Sequence, residues 1–252
     1  MALLEVRGIT VRYGGIIALG GVDLDVDEDV TVALIGPNGA GKTTLFDCIN
    51  GIRRADRGRI LFAGQRIDAL PIFKRARLGI GRTFQRIELF AGLTARQHLL
   101  VAERARRGDA RLWRDLANRG QPSHEEIERV DALIGELGLD EVADAPIESL
   151  SLGQGRLVEL GRALIGEPRL LLLDEPSSGL DSRETTALAE MLRAVRARRG
   201  MAMLLVEHDL DLVKALAEQV TVLDFGLVIA AGTMDEVMAN ASVRKAYLGE
   251  AV

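Results

Sequence analysis

Residues 36 to 44 read Gly36-Pro37-Asn38-Gly39-Ala40-Gly41-Lys42-Thr43-Thr44, and the stretch from Gly36 to Thr43 has the spacing G-x-x-x-x-G-K-[ST]. Glycines at 36, 39 and 41 let the backbone turn tightly and aim successive N–H groups inward. Together with the positive end of a following helix, those groups make a cradle for a polyphosphate. Lys42 is spaced to reach the β- and γ-phosphates, the Thr43 hydroxyl to ligate Mg²⁺, and Thr44 to sit near the α-phosphate. Such a loop needs a strand before it and a helix after it. Val30 to Ile35 is apolar and rich in β-branched residues, and Lys42 to Asn50 reads as a helix. An ordinary glycine-rich turn with a chance lysine would lack that context, so nucleotide binding is the first expectation.

A second group of polar residues stands at strand ends. Leu170 to Leu173 is a continuous apolar run of the fully buried type, and it ends in Asp174-Glu175. Two adjacent carboxylates there are costly unless a cation is near, and that edge of a parallel sheet is where ligands bind. In one Mg-nucleotide site, Thr43 and Asp174 would hold the metal, Asp174 directly or through a water, while Glu175 would polarise an attacking water. Gln85, ending a predicted strand from Gly79 to Phe84, could reach both metal and water with its amide oxygen. His208, after a predicted strand from Met203 to Val206, could contact the γ-phosphate and hold Glu175 and the water in line. Taken singly, Gln85 and His208 read as strand-end polar residues bonded to backbone. Tyr13 is either a ring that stacks on a nucleotide base or a half-buried turn residue.

These groups must be positioned by a chain of 252 residues, which suits one large α/β domain or one with an inserted subdomain. Leu3 to Val6, Gly8 to Arg12 and Ile17 to Val26 predict a β-rich edge ahead of the phosphate loop. Further strands are expected at Arg59 to Ala63, Val220 to Asp224 and Leu227 to Ala230. Helices are expected at Leu70 to Leu78, with Pro71 in its first turn, at Ser182 to Arg199, capped by Asp181 or Ser182, at Asp211 to Ala217, and as short pieces within Thr233 to Leu248. From Thr94 to about Ala145 the apolar spacing turns helical, with Ser123 and Glu126 forming a capping box. Ser151 opens another helix, whose apolar face carries Leu157, Leu160 and Leu164. Alternating strands and helices around the loop predict a mostly parallel sheet covered on both faces.

Composition excludes several roles. A net charge of −5 and a pI near 5.4 give no general attraction to nucleic acid, and acids interrupt the arginine-rich stretches 53–59 and 104–119. Cys48 is the single cysteine, so no internal disulfide can form, which fits a reducing cytoplasm. The opening residues lack the pattern of a signal peptide, and no apolar run is long enough to span a membrane.

In order and spacing, the chain from Tyr13 onward resembles the ATP-binding cassette (ABC) ATPases. The resemblance rests on the P-loop Gly36 to Thr44, Gln85 as the Q-loop, Leu150-Ser151-Leu152-Gly153-Gln154 as the signature, Leu170 to Asp174 with Glu175 as Walker B, Ser178-Gly179-Leu180-Asp181 as the D-loop, and His208 as the switch histidine. It implies a single ATPase domain over 1–252: a P-loop NTPase of α/β class with a mostly parallel RecA-like core, an antiparallel β edge, and a helical signature subdomain inserted at about 86–165. It implies that ATP and Mg²⁺ are used and that Tyr13 stacks on adenine. It also implies a head-to-tail pair, in which Ser151, Gly153, Gln154 and Asp181 serve a nucleotide held by a second ATPase subunit, identical or sister.

Gly81-Arg82-Thr83-Phe84-Gln85 and the ending from Val228, with Ala246-Tyr247-Leu248-Gly249-Glu250, are similar to the ATPases of branched-chain amino acid importers. That narrower resemblance implies membrane permease subunits as partners, docked near Leu89 and Phe90. It implies a substrate-binding protein as an indirect partner, no nucleic acid, and a peripheral place on the cytoplasmic face of the cell membrane. Urea and amide importers use similar ATPases. A soluble ABC ATPase acting on DNA or ribosomes is a further alternative, and a P-loop kinase is opposed by the signature. Gly155 and Gly161 depart from the family's usual glutamine and alanine, and each is expected to loosen the signature helix by about 0.5 to 1 kcal/mol. Leu152 and Asp29-Val30 also depart, the latter in a turn where glycine-glutamate is usual.

Overall fold

The computed structural model describes residues 2–83, 89–107 and 121–248. The strands are β1 (Ala2–Tyr13), β2 (Ile16–Asp27), β3 (Thr31–Ile35), β4 (Arg57–Phe62), β5 (Gln65–Arg66), β6 (Ile80–Arg82), β7 (Leu170–Asp174), β8 (Ala202–Val206), β9 (Gln219–Asp224) and β10 (Leu227–Gly232). The α-helices are α1 (Lys42–Asn50), α2 (Ile72–Arg77), α3 (Ala95–Arg107), α4 (His124–Glu136), α5 (Leu152–Leu164), α6 (Ser182–Arg199), α7 (Leu210–Leu216), α8 (Met234–Ala239) and α9 (Ala241–Leu248).

Six strands form one sheet in the order β10-β9-β3-β8-β7-β6, parallel throughout except for the antiparallel β10. The expected antiparallel edge is a separate four-stranded sheet, β2-β1-β4-β5. Where two short strands were expected, β1 is one strand of twelve residues. A register shift between Val6 and Ile9, with Gly8 at φ 60°, absorbs the break in the apolar pattern without ending the pairing.

Alternation along the central strands divides the core into two. Ala33, Ile35, Leu171, Leu173, Met203 and Leu205 face one hydrophobic cluster, and Val32, Leu34, Leu170, Leu172, Leu204 and Val206 face the other. Both faces of the parallel sheet are therefore dry, as its β-branched and leucine-rich strands require. Each fully buried leucine contributes about 1.5–3 kcal/mol relative to an exposed one.

Several element ends differ from expectation for local reasons. Pro71 lies in extended backbone and is the N-cap of α2, so that helix begins at Ile72. Strand β4 stops at Phe62 because Ala63 turns with φ 48° into β5. Strand β6 is shorter than the expected Gly79 to Phe84 run, although the Thr83 N–H still donates to Leu172 O at 3.0 Å. Phe84 and Gln85 lie outside the described residues.

In the stretch of chain between β6 and β7, helix α3 packs against both α4 and α5. Gly161 explains how α5 approaches its neighbours: a Cβ there would stand 2.8 Å from Leu99 Cδ2 and 2.9 Å from Leu137 Cδ1. The glycine expected to loosen the signature helix also makes room for two buried leucines.

Candidate functional site

The parallel register brings the phosphate loop, Asp174, Glu175 and His208 to one edge of the sheet. Asp174 at the end of β7 pairs with Val206 at the end of β8, and Leu34 of β3 pairs with Val206 from the other side. The phosphate loop, the Asp174-Glu175 pair and His208 therefore leave neighbouring strands in the same direction, as side-by-side parallel strands dictate.

In the loop, Gly36 has φ 148°, and a Cβ on it would lie 2.0 Å from the Leu223 carbonyl of β9. No side chain can occupy that position without pushing the loop off the sheet. Helix α1 begins at Lys42 with Gly41 as N-cap and no side-chain cap bond, so its first-turn amides keep their donors for an anion. Lys42 is 6% exposed, and its Nζ donates to Gly36 O at 2.6 Å and to Pro37 O at 2.9 Å. Burial lowers the Lys42 ammonium below its ordinary range, and the nearby Glu175 carboxylate opposes that shift. This interaction joins the cradle to an acid far along the chain.

Asp174 is 4% exposed, and burial raises its carboxyl above the ordinary range against the opposing Arg82 guanidinium. Arg82 Nη2 donates to Asp174 Oδ2 at 2.9 Å, and Nη1 donates to Asp47 Oδ1 at 3.3 Å. The cation that the paired strand-end acids called for is thus Arg82, a residue whose role sequence alone did not disclose. Asp47 follows Thr43 by one helical turn, so the exposed Thr43 shares the face of α1 that looks toward Asp174. Hydroxyl and carboxylate oxygens suit a hard divalent cation. Among the described residues no group of three His, Cys, Asp or Glu side chains forms a metal cage. A donor set this sparse fits Mg²⁺, which takes one or two protein ligands beside phosphate oxygens and water.

Glu175 lies at φ 47°, a left-handed conformation that costs a non-glycine residue on the order of 1–3 kcal/mol. The turn is held by the Glu175 N–H donating to Val206 O at 2.9 Å and by Ser178 N–H donating to Glu175 O at 3.1 Å. It brings Glu175 Oε1 to 2.9 Å from His208 Nε2.

Glu207, which sequence reading passed over, organises the same corner. It is 2% exposed, and its Oε1 accepts from the Ser177 N–H at 2.9 Å and from Ser177 Oγ at 2.6 Å. Its Oε2 accepts from the His208 and Asp209 N–H groups at 2.7 and 3.1 Å. One buried carboxylate so ties the segment after Glu175 to the segment carrying His208. Its signal in the sequence is an acid directly before the candidate histidine at a predicted strand end.

The signature residues are set apart from the cradle. Ser151 caps α5, with its Oγ accepting from Gln154 N–H at 3.2 Å and Gln154 Oε1 accepting from Ser151 N–H at 2.9 Å. Gly153 faces Glu184, and Arg156 Nη2 donates to Ser178 O at 3.0 Å, tying the signature helix to the D-loop. Asp181 caps α6, accepting from Arg183 and Glu184 N–H groups at 2.8 Å each. Among the described residues, no hydrogen bond joins Ser151, Gly153, Gln154 or Asp181 to residues 36–44.

Tyr13 is 47% exposed, and the Arg53 guanidinium lies 4.0 Å from its ring centroid. Phe90 is exposed, stacks on His98 at 5.9 Å, and donates its N–H to His98 Nε2 at 2.8 Å, while Leu89 packs against the core. The C-terminal helix also reaches the cradle: burial pushes the Tyr247 phenol up to about 12, with the Gly36 backbone opposing that shift.

A glycine-lined anion cradle beside an acid-terminated strand of a mostly parallel sheet defines a P-loop nucleotide-binding protein. The family model described as "ABC transporter" matches residues 19–178, and one described as "Branched-chain amino acid ATP-binding cassette transporter" matches 228–252. The chain belongs to the ABC transporter family and is an ATP-binding cassette. It is 40% identical to the high-affinity branched-chain amino acid transport ATP-binding protein BraF of Pseudomonas aeruginosa, covering 99% of this chain and 98% of that one. It is 36% identical, with the same coverage, to LivG of Escherichia coli, which carries the same description. The crystal structure of the ADP conformation of MJ1267, an ATP-binding cassette of an ABC transporter, superposes with a TM-score of 0.87 at 31% identity, covering 99% of this chain and all of that one.

Proposed function

We propose that this chain is the ATP-hydrolysing subunit of an importer for branched-chain or similar hydrophobic amino acids. The observation that carries this reading is the end-to-end likeness to BraF and LivG together with the matching C-terminal segment 228–252. No helix among the described residues is long and apolar enough to cross a membrane. The likeness to transporter ATP-binding proteins supports a peripheral place on the cytoplasmic face of the cell membrane, against permease subunits that receive solute from a substrate-binding protein. The exposed Phe90, held by its backbone bond to His98, is the proposed docking surface, with Leu89 beside it.

In this reading the loop amides and Lys42 hold the β- and γ-phosphates of ATP, with Lys42 giving up its contacts to Gly36 O and Pro37 O. Tyr13 supports adenine. Thr43 and Asp174, with Gln85 proposed beside them, would hold Mg²⁺, which would supply neutralisation of phosphate charge when bound. Glu175 accepts the proton of the attacking water, and His208 holds the Glu175 carboxylate in line. Ser151, Gly153, Gln154 and Asp181 lie outside the contacts of their own cradle, which supports their acting on ATP held by a second ATPase subunit. The segment 86–165 is proposed as the arm that carries the signature to that neighbour. Binding of ATP then closes the pair, and hydrolysis opens it.

The test is purification from native membranes with genetically neighbouring permeases, followed by uptake of radiolabelled leucine and urea in a strain lacking the chain. Co-purification and restored leucine uptake are expected. Restored urea uptake alone would move the reading to the urea and amide importers, and failure to associate with any permease would reject it.

A further inference from the structure

Arg82 stands where a metal-binding carboxylate needs its metal. Its side chain is 10% exposed and that of Asp174 is 6% exposed, and the guanidinium reaches Asp174 on one side and Asp47 on the other. The position is rigidly set, because Arg82 pairs with Leu172 in the parallel register of β6 and β7, two residues before Asp174. Phe46 of α1 lies beneath the guanidinium, with its centroid 6.0 Å from Cζ. A planar fork of donors held between two acids is a strong, directional arrangement. It is also a competitor, since a second cation brought to Asp174 meets a positive charge already there.

We propose that Arg82 is a resident counter-cation of the Mg²⁺ site, satisfying Asp174 and Asp47 when no metal is bound and opposing the metal when it arrives, so that this residue sets the Mg²⁺ requirement of nucleotide binding. The proposal rests on the reading of Asp174 as a metal-site carboxylate. Arg82 needs no titration to act in this way, because a guanidinium stays charged. What it contributes is a stable acid pair without metal and a weaker hold on metal than an unopposed acid pair would have.

The experiment compares the affinity of the full chain for mant-ATP in excess Mg²⁺ with that in EDTA. The ratio of the two dissociation constants measures how strongly metal and nucleotide are linked. Arg82→Gln should raise the Mg²⁺-dependent gain in affinity by about fivefold or more, as expected for removal of one close positive charge. Arg82→Lys keeps the charge but cannot fork between both acids, and should fall between wild type and Arg82→Gln. Asp174→Asn should abolish most of the metal-dependent gain. A gain in Arg82→Gln equal to or below wild type, with the gain lost in Asp174→Asn, overturns the proposal and leaves the metal site standing. An undiminished gain in Asp174→Asn overturns the metal-site reading and the proposal with it. If Arg82→Gln does not fold, Arg82→Met takes its place, and a gain at or below wild type overturns the proposal.

Discussion

His208 Nε2 lies 2.9 Å from Glu175 Oε1 although the two residues are 33 positions apart and leave different strands. With Nε2 protonated, the ring donates to the carboxylate and fixes the direction in which Glu175 accepts a proton. Glu175→Gln removes the base but keeps the size of the side chain. Turnover should fall by about 10²–10⁴-fold with mant-ATP affinity retained, measured by phosphate release and fluorescence titration. Unchanged hydrolysis would remove Glu175 from the role of base.

Lys42→Ala deletes the buried ammonium that the loop carbonyls now hold. Nucleotide affinity itself should drop by at least about tenfold, as loss of a charge-assisted contact to phosphate implies. Titration with mant-ATP checks this, and wild-type affinity would mean that Lys42 does not reach the phosphates.

Glu207 accepts four hydrogen bonds from the two segments that carry the hydrolytic pair. Glu207→Ala should destabilise the chain by about 2–4 kcal/mol, because buried donors lose their partner. Denaturant unfolding gives that figure. Steady-state kinetics should show the larger loss in kcat, with KM for ATP within about threefold of wild type, since the cradle on β3 and α1 is untouched. Equal losses in both parameters would make Glu207 a general fold residue only.

His98 is neutral by construction: its Nε2 accepts from Phe90 N–H, so Nδ1–H donates to Thr94 O at 2.8 Å. Burial is the main cause that lowers its pKa below the ordinary imidazole value of about 6.5. The unfolded chain therefore takes up a proton at higher pH than the folded one. The stabilising effect of a neutral His98 is complete above the unfolded value and declines as pH falls toward the lower folded value. Melting temperatures between pH 7.5 and 5 should show this decline, and His98→Gln should flatten that part of the profile. An unaltered profile would exclude His98 as its source.

Gly161→Ala sets a methyl group under 3 Å from Leu99 and Leu137. Despite the better helix propensity of alanine, the variant should lose about 1–3 kcal/mol through overpacking, read from urea unfolding. A gain in stability would show that α3 and α4 yield easily at this point.

Much of the site is legible in the chain because its elements are local. The phosphate loop, the apolar strand ending in Asp174-Glu175, the capping box at Ser123 and the helix start at Ser151 each depend on residues within a few positions of one another, and each forms as its pattern dictates. Even so, the two short strands expected before Tyr13 merge into one, since a bulge costs less than breaking a ladder of hydrogen bonds.

What the sequence by itself determined was the chemistry: which side chains could cradle phosphate, end a buried strand in acid, or supply a base and its partner. Tertiary structure alone decided who neutralises whom. Arg82 meets Asp174 across 92 positions, and Glu207 gathers Ser177 across 30, because parallel register sets neighbours that no spacing along the chain encodes. Gly161 shows the same division in the core. Its helix propensity belongs to the residue, but the two leucines that require its bare backbone arrive from other helices, and close packing has the final say.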